Sequence, residues 1–138
     1  IAASLAAAGV ASMSLFDVHA QASEALAARL RIHYPALEVR TGAKDPSGHQ
    51  LVVNASPLGM NDGDPLPIDI SRLSGDTFVG EVVMKHETTA FLVAAQARGC
   101  RTQVGTDMLF EQIPAYLEYF GLPTTSAAHL RRVARVSY

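Results

Sequence analysis

Three groups of residues have types and spacings suited to chemistry. Asp17 follows the short run Ser12-Met13-Ser14-Leu15-Phe16. A carboxylate at a strand end can accept from two neighbouring hydroxyls at once and repels a phosphate set beside them. Asn54-Ala55-Ser56-Pro57 abruptly breaks the apolar run Leu51-Val52-Val53, with Gly59 soon after. Small turn formers at the end of a parallel strand are where open α/β sheets place a ligand crevice. In Gly105-Thr106-Asp107-Met108-Leu109-Phe110-Glu111-Gln112, Met108 and Gln112 are four apart and share one helix face. A thioether beside an amide suits a flat ring carrying polar groups.

These residues need elements to hold them. The register of Ile1 and Leu5 predicts a helix that Gly9 stops. The stretch reads as the middle of a helix, with no initiator Met or cap before it, so the chain is expected to be a piece of something longer. A strand is expected over residues 12–18. A helix is expected over residues 20–31, with Ala22, Leu26 and Leu30 inward. A short strand follows at residues 37–40, then a loop over residues 41–50. Leu51–Asn54 reads as a strand buried on both faces, residues 61–67 as turns, and residues 77–83 as another buried strand. A helix over residues 88–99 turns Phe91, Leu92 and Ala95 inward and ends at Gly99. A last strand spans residues 101–104, and Gly105 ends it. The helix over residues 108–120 is capped by Thr106 or Asp107 and buries Ile113, Leu117 and Phe120. A terminal helix spans residues 123–136. Strands alternating with helices predict an α/β fold with a mostly parallel, doubly wound, Rossmann-like sheet and C-terminal helices.

Composition excludes several classes. The 138 residues are 49% hydrophobic and 17% charged, so the chain can bury a core and is not disordered. A net charge of −2 with no basic stripe argues against nucleic acid. No apolar run reaches membrane-spanning length. The single Cys100 excludes an internal disulfide and fits a reducing cytoplasm; following Gly99, it reads as a packed small residue. Histidines 19, 33, 49, 86 and 129 have no metal-ligand spacing. No Gly-x-Ser-x-Gly elbow is present. Arg131, Arg132 and Arg135 read as a solvated helix face. In dinucleotide-binding folds an acidic strand end lies about 20 residues beyond a glycine-rich phosphate turn, so Asp17 places that turn ahead of Ile1.

Together, LVVNASPLGM, GEVVMKHETTAFLVAAQARGC and VGTDMLFEQ, in this order and spacing, resemble the C-terminal nucleotide-binding domain of the shikimate/quinate 5-dehydrogenase family. The match covers Asn54 through Met60 and the set Gly105, Met108, Leu109 and Gln112. The resemblance implies that residues 1–138 are a partial dinucleotide-binding domain, truncated at its N-terminus and without the family's substrate domain. It implies reversible hydride transfer between a ring hydroxyl of shikimate or quinate and a nicotinamide cofactor. Asp17, Asn54, Ala55, Ser56, Pro57, Val82, Gly105 and Met108 would bind the cofactor and Gln112 the substrate. No catalytic residue falls in the chain, because the family's proton-handling Lys and Asp belong to the substrate domain. The isolated chain is therefore expected to be inactive.

Three departures from the family pattern matter. Met84 stands where the family commonly has Tyr, and His86 and Ala90 stand where it has Pro. Asp17-Val18-His19 replaces the Asn-Arg-Thr-like residues of NADP-using members, which favours NAD and leaves NADP as the alternative. The changed positions keep two other functions open: a non-catalytic regulatory binding domain, and a dehydrogenase of a different cyclic alcohol. The expected partner is a small-molecule substrate, with no nucleic acid and no membrane, and a homodimer is left open.

Overall fold

A computed structural model describes residues 1–136. They form two compact units, residues 1–45 and the residues from Pro46 onward.

The first unit runs α1 (Ala2–Ala7), β1 (Ser12–Leu15), α2 (Ala20–His33) and β2 (Glu38–Thr41). Gly9 stops α1 with a positive φ of 85°, a backbone conformation that costs glycine little. β1 and β2 are parallel, with Ser12 opposite Glu38 and Leu15 opposite Thr41. β1 is shorter than predicted because the chain turns at Asp17, whose carboxylate accepts from the His19 N–H at 2.8 Å. The buried face of α2 also differs. It is Ser23, Ala27 and Leu30, with Leu26 at its edge, while Ala22 is exposed. Ser23 is tolerated inside because its hydroxyl donates to the Ala20 carbonyl at 2.9 Å. Ala6, Met13, Ala27, Leu30, Leu37 and Val39 form this unit's core.

The second unit runs β3 (Leu51–Asn54), β4 (Phe78–Glu81), α3 (Ala90–Ala97), β5 (Arg101–Gln103), α4 (Gly105–Tyr119) and α5 (Ala127–Val133). A 3-10 turn at Ile70–Arg72, not anticipated, precedes β4. The sheet order is β3-β4-β5, and both pairings are parallel. All three carboxyl ends therefore share one edge. Leu51, Val52 and Val53 are half-buried rather than buried, in keeping with β3 at the border of that order. β4 is the central strand, with Val79, Gly80 and Glu81 buried. Phe91, Leu92 and Ala95 of α3 pack inward as predicted, with Leu73, Val79 and Cys100. Each large apolar side chain buried this way is worth about 1.5–3 kcal/mol. The Cys100 thiol donates to the Ser74 carbonyl at 3.2 Å, so it is a packing residue.

α4 starts at Gly105 rather than Met108. Val104 is its N-cap and makes no side-chain cap bond, so neither Thr106 nor Asp107 caps it. Phe120, expected inward, is 70% exposed at the C-terminal end of α4. α5 is shorter than predicted and starts where the Ser126 hydroxyl accepts from the His129 N–H at 3.1 Å. Arg131 is not simply solvated. It reaches Asp107 at 2.9 Å and Glu111 at 2.8 Å, joining α5 to the first turns of α4. Among the described residues, no helix is long and apolar enough to cross a membrane. The architecture is α/β, Rossmann-like, with parallel pairing in both sheets.

Candidate functional site

The carboxyl edge of β3-β4-β5 gathers most of the residues singled out from the sequence. Asn54 and Glu81 stand opposite each other at the ends of their strands, and the Val82 N–H donates to the Asn54 carbonyl at 3.1 Å. The loop after β3 is built on the Asn54 side chain, which is only 5% exposed. Its amide oxygen accepts from the Ser56 N–H at 3.1 Å and the Ser56 hydroxyl at 2.6 Å. Its NH2 group donates to the Leu58 carbonyl at 2.9 Å, from the strand end that stands opposite Glu81. Two donors and two acceptor positions are all an amide has. Asn54 shapes this loop with its oxygen and one N–H engaged within it.

Ser56 extends the chain of bonds, accepting from the Leu58 N–H at 3.3 Å. Ala55 and Pro57 are exposed. Gly59 has φ 98°, and a methyl placed on it would meet the Thr89 side chain at 3.5 Å. The loop thus turns at Gly59 directly over the start of α3. The Asp64 carboxylate fixes that turn by accepting from the Gly59 and Asn61 N–H groups, both at 3.0 Å. Its pKa lies below the ordinary carboxylate value, chiefly through the Asn61 backbone bond.

Val82 and Gly105 are brought together. A methyl on Gly105 would lie 2.2 Å from the Val83 carbonyl oxygen and 2.9 Å from the Val82 carbonyl carbon. Only a residue without Cβ lets the start of α4 press so closely on the chain leaving β4. Met108 and Gln112 follow on α4, both half-buried. The Gln112 amide oxygen accepts from the Tyr116 hydroxyl at 3.2 Å, which leaves its NH2 group as the donor it can offer. Asp17 lies in the first unit, exposed, with one carboxylate oxygen engaged by His19. Met84 is 45% exposed.

Sequence reasoning passed over Glu81. It is 3% exposed, and both its carboxylate oxygens lie 2.9 Å from the Thr89 hydroxyl. Thr89 also caps α3, accepting from the Leu92 N–H at 3.4 Å. Burial pushes the Glu81 carboxyl above the ordinary carboxylate range, and the bonds from Thr89 and Asn54 offset part of that rise. The signal was present: one acidic residue inside the otherwise apolar run Val79-Gly80-Glu81-Val82-Val83.

Parallel strands with turn-forming loops at their carboxyl ends define an α/β unit of the Rossmann-like class. No protein-family model matches the chain. The chain is similar in sequence to curated shikimate dehydrogenases over part of their length. It is 41% identical over 83 residues to the shikimate dehydrogenase (NADP(+)) of Azorhizobium caulinodans, a match covering 59% of this chain and 30% of that relative. The chain spans about a third of the length of the curated relatives it matches, 30% of this one. In structure it is similar to the 5-ketofructose reductase of Gluconobacter sp. strain CHM43, with a TM-score of 0.82 and 28% identity. That match covers 96% of this chain and 50% of the reductase. It is also similar to the quinate dehydrogenase of Corynebacterium glutamicum in complex with NAD. There the TM-score is 0.78 and the identity 29%, over 93% of this chain and 47% of the other.

Proposed function

We propose that residues 1–138 are a partial dinucleotide-binding domain, the nicotinamide-binding portion of a shikimate/quinate-type dehydrogenase. The observation that carries this reading is the seating of Gly105 against the Val82–Val83 backbone, beside the Asn54–Gly59 loop. That contact brings together Val82 and Gly105, with Asn54 bonded to Val82 and with Met108 and Gln112 on the helix that Gly105 begins. When bound, the nicotinamide accepts or donates the hydride as a ring hydroxyl and a ketone interconvert. The residues of this chain bind and orient. Backbone groups at Ala55–Pro57, Val82 and Gly105 line the cofactor, and Met108 supplies an apolar surface for a flat ring. The Gln112 NH2 group donates to a substrate hydroxyl. The proton that leaves the hydroxyl is handled by groups of the substrate domain.

Asp17 is assigned to the adenosine ribose hydroxyls, which favours NAD; the Azorhizobium relative is named for NADP(+). A cytoplasmic setting and a shikimate- or quinate-like small molecule complete the reading. The test is calorimetric titration with NAD and with NADP, followed by reduction of each with shikimate or quinate in protein that includes the substrate domain. Folded protein that binds neither dinucleotide defeats the proposal. The likeness to 5-ketofructose reductase favours a second reading, a related reductase of another polyhydroxy ketone. Oxidation of reduced cofactor by 5-ketofructose, with none by the shikimate or quinate ketones, would select it.

A further inference from the structure

Among the described residues, Glu81 is the one buried member of the charged set, and the proposed hydride transfer does not use it. Its bonds differ in kind from those of a stray acid. An ionised carboxylate only accepts. The Thr89 hydroxyl has one proton and points it at Glu81, so its oxygen faces the Leu92 N–H. The Asn54 amide, opposite Glu81 on the neighbouring strand, turns its NH2 group toward Leu58 and its oxygen toward Ser56. One buried acceptor thus takes the only Thr89 proton and stands against the Asn54 amide, whose own direction matches its place beside a carboxylate. Each of those groups holds a different loop: residues 54–59 through Asn54, and the start of α3 through Thr89. The circuit closes where Gly59 meets the Thr89 side chain.

We propose that Glu81 is a positioning residue: its carboxylate orients Asn54 and Thr89, and through them holds together the two loops that border the cofactor site. The assignment of those loops to a cofactor rests on the function proposed above; the mechanical coupling does not. A glutamine is not a neutral replacement, because one end of its amide presents N–H where only acceptors fit. The carboxylate also reaches both loops from a strand whose own backbone is fixed in the sheet ladder, so it references the loops to the rigid part of the unit.

Amide hydrogen exchange tests the coupling directly. In the unaltered protein, the Ser56, Leu58 and Leu92 amides should exchange through a common opening, and independent openings would overturn the proposal. In Glu81→Gln these three should lose protection by about tenfold, the order of one hydrogen bond to a charged group. Val79 and Thr102 in the ladder should keep theirs. An equal loss at all amides means a merely structural role and sinks the idea, as does no loss at the three. Glu81→Asp should restore part of the protection. Should Glu81→Gln fail to fold, Thr89→Val decides, since it keeps the shape and removes the hydroxyl. Loss of Ser56 protection in that variant supports relay through Glu81 and Asn54, and retention refutes it. Titration with NAD and NADP adds a functional arm, with about tenfold weaker binding expected in Glu81→Gln. If the unaltered protein binds neither dinucleotide, the proposed function fails while the exchange results still decide the coupling.

Discussion

Replacing Gly105 with alanine sets two effects of known size against each other. Gly105 is helical, and its φ is not among the positive ones, so alanine meets no backbone strain there. Helix propensity and the reduced freedom of the unfolded chain would then favour alanine by about 0.4–1 kcal/mol. The packing says the opposite. The new methyl would lie 2.2 Å from the Val83 carbonyl oxygen and 2.8 Å from its carbon, far inside contact distance. The obstacle is backbone rather than the end of a mobile side chain, and Val83 is 4% exposed. Relief therefore requires α4 to move from the end of β4. Overpacking of this kind costs about 1–3 kcal/mol, so the net expectation is a loss of roughly 1–2 kcal/mol. Urea unfolding followed by circular dichroism measures it, and each kcal/mol should lower the thermal midpoint by about 2–8 °C. The same displacement should weaken dinucleotide binding. An alanine variant as stable as the parent, or more stable, would refute the packing argument.

Two further outcomes are expected. Asp17→Ala or Asp17→Ser should weaken NAD and relatively improve NADP, by about tenfold or more for one charge-assisted contact; an unchanged preference in titrations would reduce Asp17 to a residue that turns the chain. Burial raises the Glu81 pKa in the folded state, so the native protein binds that proton more tightly than the unfolded chain. The stability this contributes is fully present below the ordinary glutamate pKa and is lost as pH rises through the raised folded value. The stability of the parent relative to Glu81→Gln should therefore increase on acidification across that window, and a flat or opposite trend in paired urea titrations would contradict the assignment.

Much of this arrangement was legible in the sequence because local rules decide it. The break at Asn54-Ala55-Ser56-Pro57 marks the end of β3 where expected, and Phe91, Leu92 and Ala95 follow helical spacing into the core. Gly9 and Gly99 end their helices with positive φ, a conformation they adopt without strain. What escaped depends on tertiary neighbours. The start of α4 at Gly105 is set by backbone contact with Val83, which no capping pattern announces. The inward face of α2 falls on Ser23 because a bond to Ala20 satisfies its hydroxyl, a fact invisible to a count of apolar residues. Arg131 looks solvated until Asp107 and Glu111 are placed opposite it. Glu81 was counted as one more strand residue, because its meaning lies in Thr89 and Asn54 rather than in its own spacing.

The buried amide of Asn54 also bears on how this protein ages. Deamidation would replace the NH2 group facing Leu58 with an oxygen, converting an attractive contact into a repulsive one and setting a second acid opposite the buried Glu81 carboxylate. A lesion that is silent on most surfaces would here undo the turn from within. In a stored preparation, the fraction of chains deamidated at Asn54 would thus mark the fraction whose loop has come apart.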